Sequence, residues 1–143
     1  SKLKPQKSAK YGVLNLKDFK ETIPCVHQTK GFTEFEVSTE KIGDMNMLLG
    51  GGYIRMLPWF FMKHMTQKYL DSGKPYVMYI HPIDLSPKPM PKVDGISFDR
   101  YLRTHIGRRH MVWRFKKVIE MLKKSGYEFV TFEELLKIYP TEE

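Results

Sequence analysis

The fold that the sequence predicts depends on one stretch, Tyr76-Val77-Met78-Tyr79-Ile80-His81-Pro82. Its first five residues are continuously apolar or aromatic, which is typical of a β-strand covered on both faces. The His-Pro pair ends this strand, because proline has no N–H to donate to a sheet. Residues 82–91 contain four prolines, and they are expected to form an extended loop.

After this loop the pattern alternates between helix and strand. Apolar residues recur at helical spacing over residues 111–122 and predict the longest helix, which Gly126 ends. Residues 127–130 predict a short strand. Thr131 and Glu134 then form a capping-box pattern ahead of a final helix. The order strand, loop, helix, strand, helix favours an α/β fold with parallel strands.

The part of the chain before this stretch gives weaker signals. Residues 11–16 and 32–37 predict short strands, the second from its alternation of apolar and polar residues. The three glycines at 50–52 are expected to break the chain, because together they cost too much entropy inside a regular element. Pro58 marks the start of a helix, since a missing N–H is tolerated in the first turn.

Composition limits the class of protein. The chain has 143 residues, of which 41% are hydrophobic and 13% aromatic, so it can build the core of one compact domain. Cys25 is the only cysteine, which excludes an internal disulfide and a multi-cysteine zinc site. No run reaches the roughly 18 apolar residues of a membrane span. The net charge of +8 attracts polyanions of any kind, so a nucleic-acid- or polyanion-binding domain is one alternative function.

The sequence also predicts a simple domain organisation. Residues 1–10 contain four lysines and are expected to be a disordered basic lead. Residues 11–139 are expected to form the folded domain, and residues 140–143 a tail. Nothing in the chain decides between a cytoplasmic and a cell-envelope location.

Three residues are candidates for a functional site. His81 directly follows the buried strand, where parallel α/β folds place their working residues, and histidine exchanges protons near neutral pH. A bond to the loop backbone is the alternative role. Asp84 could orient the imidazole or could be a solvated loop carboxylate. Arg55 follows the glycines and could clamp a carboxylate or phosphate, although a tight turn with a surface arginine explains it equally well.

A basic cluster precedes the long helix. It consists of His105, Arg108, Arg109 and His110. Such residues could bind a polyanion or, through the histidines, a metal ion. Two histidines five positions apart share a helix face poorly, which argues against the metal site. A solvated basic face is the simpler interpretation. The chain contains neither a Gly-x-Ser-x-Gly motif nor a dinucleotide fingerprint.

Three segments of the chain resemble a known family. They are Phe35-Glu36-Val37-Ser38-Thr39, Gly50-Gly51-Gly52-Tyr53-Ile54-Arg55-Met56-Leu57-Pro58 and Tyr79-Ile80-His81-Pro82. Together they are similar to the C-terminal stretch of NodB-homology polysaccharide deacetylases (carbohydrate esterase family 4). The relevant prokaryotic subgroup is often found with exopolysaccharide and surface-glycan synthesis. The similarity covers nearly all of residues 34–136.

The resemblance implies a fold and a reaction. The fold would be a partial, distorted (β/α) barrel fragment with a mostly parallel sheet and two to three helices. The parent protein would be a hydrolase of carbon–nitrogen bonds other than peptide bonds, removing N-acetyl groups from amino-sugar polysaccharides with a divalent metal. His81 matches the family's catalytic acid, while Arg55, Tyr53 and Asp84 are expected to bind substrate. The sequence departs from many relatives in having Ile83-Asp84 where they have Trp-Glu.

The family's metal-binding motifs are absent from this sequence, so no metal ligand is predicted in it. The segment alone is therefore expected to be inactive. Its expected partners are the amino-sugar polysaccharide and either a second copy or the missing N-terminal half, whereas no nucleic acid and no membrane span are expected. A non-catalytic glycan-binding or scaffold domain is a further alternative.

Overall fold

A computed structural model describes residues 20–29, 31–88, 90–91 and 94–140. The strands are β1 (Lys20–Ile23), β2 (Val26–Thr29), β3 (Phe32–Phe35), β4 (Thr39–Ile42) and β5 (Met45–Leu48). The helices are α1 (Gly51–Met56), α2 (Trp59–Leu70), α3 (Pro82–Leu85), α4 (Phe98–His105), α5 (Met111–Lys124) and α6 (Phe132–Ile138). The predicted strand at 11–16 and the predicted basic lead at 1–10 lie outside the described residues. Among the described helices, none combines the length and the apolar character that crossing a membrane requires.

The described strands form two antiparallel sheets. One has the order β1-β2-β3 and the other pairs β4 with β5. Short turns such as Gly43-Asp44 connect them, and a short turn can join only antiparallel neighbours, since parallel strands need a long crossover. The prediction of a mostly parallel sheet in a (β/α) barrel fragment is therefore wrong. The chain has an α+β fold.

The stretch at 76–80 is not a strand. Val77 joins it to the segment before β4, since its carbonyl oxygen accepts from the Ser38 N–H at 2.9 Å and its N–H donates to Ser38 Oγ at 2.9 Å. Residues 127–130 also form no strand. No residue of these two stretches is fully buried, and residues 128–130 are exposed. An apolar run carries no information about whether a neighbouring strand exists to pair with it.

The glycine run does not break the chain, contrary to prediction, because Gly51 and Gly52 begin α1. A Cβ on Gly50 would lie 3.1 Å from Met78 Cγ and 3.2 Å from the Tyr79 carbonyl oxygen. A Cβ on Gly51, whose φ is +53°, would lie 3.3 Å from the same oxygen. The glycines therefore let the start of α1 approach Tyr79 closely.

The proline-rich loop contains a helical turn that the sequence did not predict. Pro82 occupies the first position of α3, where a residue without an N–H is favoured. Other local predictions are confirmed. The strand signal at 32–37 corresponds to β3, the helix after Pro58 is α2, and Gly126 at φ +79° follows α5.

The core lies where α2 and α5 pack together. Met62 and Tyr69 on α2 and Met111, Val118 and Leu122 on α5 are buried. Their spacing along each helix places them on one face. This packing fixes α5 beneath α1, the helix that carries the candidate site.

Candidate functional site

One cleft of about 370 Å³ brings together all four residues that the sequence predicts for the site. Tyr53 and Arg55 enter it from α1, whereas His81 and Asp84 come from the start of α3. The three glycines at 50–52 contribute main chain to its wall. The four residues therefore lie close together in space. Their chemical roles remain predictions.

His81 is exposed and precedes the first residue of α3. The Tyr79 hydroxyl is hydrogen-bonded to its Nε2 and lies 3.2 Å from its Nδ1. The two rings meet edge to face, with centroids 4.5 Å apart. Tyr79 was not among the predicted site residues. Its spacing of two from His81 is the signal that could have found it, because alternate residues of a non-helical stretch share a face.

Arg55 and Asp84 form a buried ion pair beside His81. Arg55 Nε donates to Asp84 Oδ1 at 3.1 Å, and the two side chains are only 9% and 7% exposed. Arg55 Nη1 also donates to the Ile106 carbonyl oxygen at 2.8 Å. These bonds matter because a buried charge needs both a counter-charge and hydrogen bonds to offset its desolvation.

The same carboxylate holds the main chain of His81. Asp84 Oδ2 accepts from the His81 N–H at 3.3 Å, so the Asp84 carboxylate contacts the backbone of His81. The predicted substrate-binding roles of Arg55 and Asp84 are not tested by these contacts. The contacts favour a positioning role, since both groups bind other parts of the chain.

Gly107 seats the loop before α5 against α1. Its φ is +72°, and a Cβ built on it would lie 1.8 Å from the Arg55 carbonyl oxygen. No side chain fits there. The carbonyl oxygen of its neighbour Ile106 accepts from the Arg55 side chain. This loop therefore contacts Arg55 twice, at its main chain and at its side chain. No sequence pattern pointed to Gly107.

Arg114 on α5 binds the end of α1. Its Nη1 donates to the carbonyl oxygens of Ile54, Arg55 and Leu57 at 2.7 to 3.0 Å. Burial lowers the pKa of this guanidinium. The last carbonyls of a helix have no partner within the helix, so Arg114 fixes α1 and with it Tyr53. From helical periodicity, the sequence predicts only that Arg114 is a polar residue between the apolar positions of the long helix.

The structure divides the basic cluster. His105 stacks on Tyr101 with ring centroids 3.9 Å apart, and Arg108 is buried, with its Nε donating to the Lys88 carbonyl oxygen at 3.0 Å. Arg109 and His110 are exposed. Two of the four residues therefore serve internal contacts, which weakens the case for a polyanion grip at this position.

The described lining of the His81 cleft contains one histidine and one carboxylate, His81 and Asp84. Among the residues that the structure describes, no group of three or more His, Cys, Asp or Glu side chains is arranged to hold a metal ion. Within the cleft, Asp84 is bonded to Arg55 and His81 to Tyr79. These residues do not fit the divalent metal that the resemblance implies.

Comparison with known proteins places the chain in a family. No curated protein and no solved structure matches it. The model of a family described as a domain of unknown function, DUF3473, matches residues 1–137, which is nearly the whole sequence. This chain belongs to the DUF3473 family.

Proposed function

We propose that this chain supplies the proton donor and one wall of the sugar cleft of a polysaccharide deacetylase acting on N-acetylated amino-sugar polymers. The observation that carries the proposal is the position of His81. Its imidazole is exposed at a cleft of about 370 Å³, and its main chain is held by the buried Arg55–Asp84 pair. The resemblance to NodB-homology deacetylases supplies the class of reaction.

The chemistry gives His81 a definite task. Hydrolysis of an N-acetyl group adds water to the acetyl carbonyl and then breaks the carbon–nitrogen bond. The nitrogen must gain a proton as this bond breaks, because an amine anion is a very poor leaving group. A protonated imidazole within hydrogen-bond reach can provide that proton. The Tyr79 hydroxyl, bonded to the ring, limits its rotation.

The electrostatics of the cleft suit an uncharged sugar. The Arg55 guanidinium is paired with Asp84 and bonded to Ile106, so it is not available to clamp an anion. The main chain of residues 50–52 adds an uncharged part to the cleft wall. Tyr53 is 38% exposed, and its ring offers an apolar face with a polar tip.

The metal of the proposed reaction would be bound by residues outside this chain's described cleft. The proposed site is therefore composite, and a partner segment provides the residues that activate the water.

Acetate release from an N-acetylglucosamine oligomer tests the proposal, using the product of the complete coding sequence. We expect His81→Gln to lower kcat/KM by about 10²- to 10⁴-fold, the usual contribution of a general acid. His64→Gln is the matched control, since His64 is exposed on α2 and lies outside the cleft. It should leave kcat/KM unchanged.

Two results would count against the proposal. If the unmodified protein releases no acetate, the reaction class is wrong. If His81→Gln retains turnover within about twofold of the unmodified protein, His81 is not the acid, and a non-catalytic glycan-binding or scaffold role is favoured for this chain.

A further inference from the structure

A second depression, of about 280 Å³, lies between α2 and α5. We call it the tryptophan groove. Its lining residues are Trp59, Lys63, Trp113, Lys117, Glu120, Met121 and Lys124. None of them belongs to the His81 cleft. The chain has two tryptophans, and both lie in this groove.

The aromatic part of the groove is held in place and accessible. Trp59 and Trp113 meet edge to face, with ring centroids 5.3 Å apart and an interplanar angle of 64°. Trp113 is 48% exposed although it lies on α5 close to the fully buried Met111. A large aromatic side chain left in water on a well-packed helix is a common feature of binding surfaces.

The groove is also positively charged. Lys117 Nζ lies 2.8 Å from Glu120 Oε2, and this neighbour lowers the pKa of the Glu120 carboxyl, with a smaller effect from Lys124. Within the described part of the chain, Lys63 and Lys124 form no ion pair. Three lysines against one glutamate leave two net positive charges around the indole rings.

We propose that the tryptophan groove binds an acidic glycan, a polysaccharide that carries carboxylates on its sugars. A sugar's apolar C–H face would pack on an indole ring, and a carboxylate would pair with Lys63 or Lys124. A nucleic acid, with one phosphate per nucleotide, requires a longer basic track. The choice of a glycan over other anions rests in part on the proposed function.

Intrinsic fluorescence is a specific readout, because all tryptophan emission of the chain comes from this groove. The probe is an oligogalacturonate, with a neutral N-acetylglucosamine oligomer of equal length for comparison. We expect the acidic oligomer to change the emission saturably, with weaker binding at about 0.5 M salt, where charges are screened. The neutral oligomer should change it little.

Lysine substitutions locate the binding. We expect the double variant Lys63→Gln, Lys124→Gln to raise the Kd for oligogalacturonate by about tenfold or more, which corresponds to at least 1.4 kcal/mol. The double variant Lys116→Gln, Lys123→Gln is the matched control. It removes the same charge from exposed positions of α5 that do not line the groove, and its Kd should stay within about twofold.

Three outcomes would overturn the inference. The first is no emission change at about 5 mM oligogalacturonate. The second is an equal loss of affinity in the two double variants, since that would show attraction by net charge alone. The third is tighter binding of phosphatidylglycerol vesicles or of a single-stranded oligothymidylate than of the acidic oligosaccharide. Each is measured independently of acetate release, so failure here leaves the role of His81 intact.

Discussion

Gly107 is the residue at which one methyl group would do most damage to the candidate site. It holds a φ of +72°, and a Cβ there would lie 1.8 Å from the Arg55 carbonyl oxygen. We expect Gly107→Ala to lower the free energy of unfolding by about 3 kcal/mol or more, because a main-chain collision adds to the left-handed backbone penalty. Urea unfolding followed by circular dichroism measures the change.

Gly126→Ala is the matched control for this substitution. Gly126 has a φ of +79°, and no atom lies within 4 Å of its Cβ position. Only the backbone penalty then applies, so the expected loss is about 1 kcal/mol. Equal losses in the two variants would contradict the close approach of Gly107 to α1.

At the scale of the element, α1 is a helix of six residues whose end depends on one guanidinium. Arg114 donates to the carbonyl oxygens of Ile54, Arg55 and Leu57, and a positive charge is favourable at a helix C-terminus. We expect Arg114→Met to lower the free energy of unfolding by about 2 kcal/mol, since these carbonyls would lose a charged donor. The urea midpoint, compared at constant m-value, measures it.

Arg109→Met controls for loss of a positive charge near the start of α5. Arg109 is exposed and forms no ion pair with the described residues. Its substitution should change the free energy of unfolding by less than about 0.5 kcal/mol. If both variants unfold at the same urea concentration, Arg114 does not stabilise α1.

At the scale of the whole molecule, tyrosine hydroxyls join segments that are distant in the chain. Tyr76 donates to the Leu49 carbonyl oxygen at 2.5 Å and Tyr127 to the Lys74 carbonyl oxygen at 2.9 Å. Burial raises the pKa of Tyr69, Tyr76 and Tyr127 above the ordinary value of 10.0. The folded state therefore keeps these phenol protons at a pH where the unfolded chain begins to lose them.

The sign of the pH dependence follows from that difference. Stability from the three phenols is complete below pH 10.0 and declines as the pH rises above it. We expect the free energy of unfolding to fall above about pH 10, with Tyr76 contributing up to about 1.4 kcal/mol per pH unit. Urea unfolding at a series of alkaline pH values measures the decline. Tyr76→Phe should reduce its slope, whereas Tyr101→Phe, at an exposed position, should not.

The sequence predicted the parts of this fold that depend on local chemistry. Helices α2, α5 and α6 follow from apolar periodicity and end signals. The capping box at Thr131 is present, with the Thr131 N–H donating to Glu134 Oε2 at 2.7 Å. These patterns involve residues within a few positions of each other, so a single sequence contains the information.

The features that the sequence did not predict depend on which distant segments meet. The alternation of helix and strand signals gave an order of elements, but not the pairing of strands, and β1 to β5 have only four residues each to carry a pattern. The candidate site was found in part. His81 and Asp84 are close in sequence, but the contact of Arg55 with Ile106 spans 51 positions. Gly107, before α5, and Arg114, on α5, also contact α1 across more than fifty positions.

That long-range contact has a consequence for the order of folding. The hairpins of β1 to β5 close over a few residues each, and contacts of this kind form early because little loop entropy opposes them. The cleft needs α1 to meet a loop 51 positions away. The His81 cleft is therefore expected to be completed late, after the helices around it have packed. During synthesis, the cleft could therefore close only after residue 106 had left the ribosome.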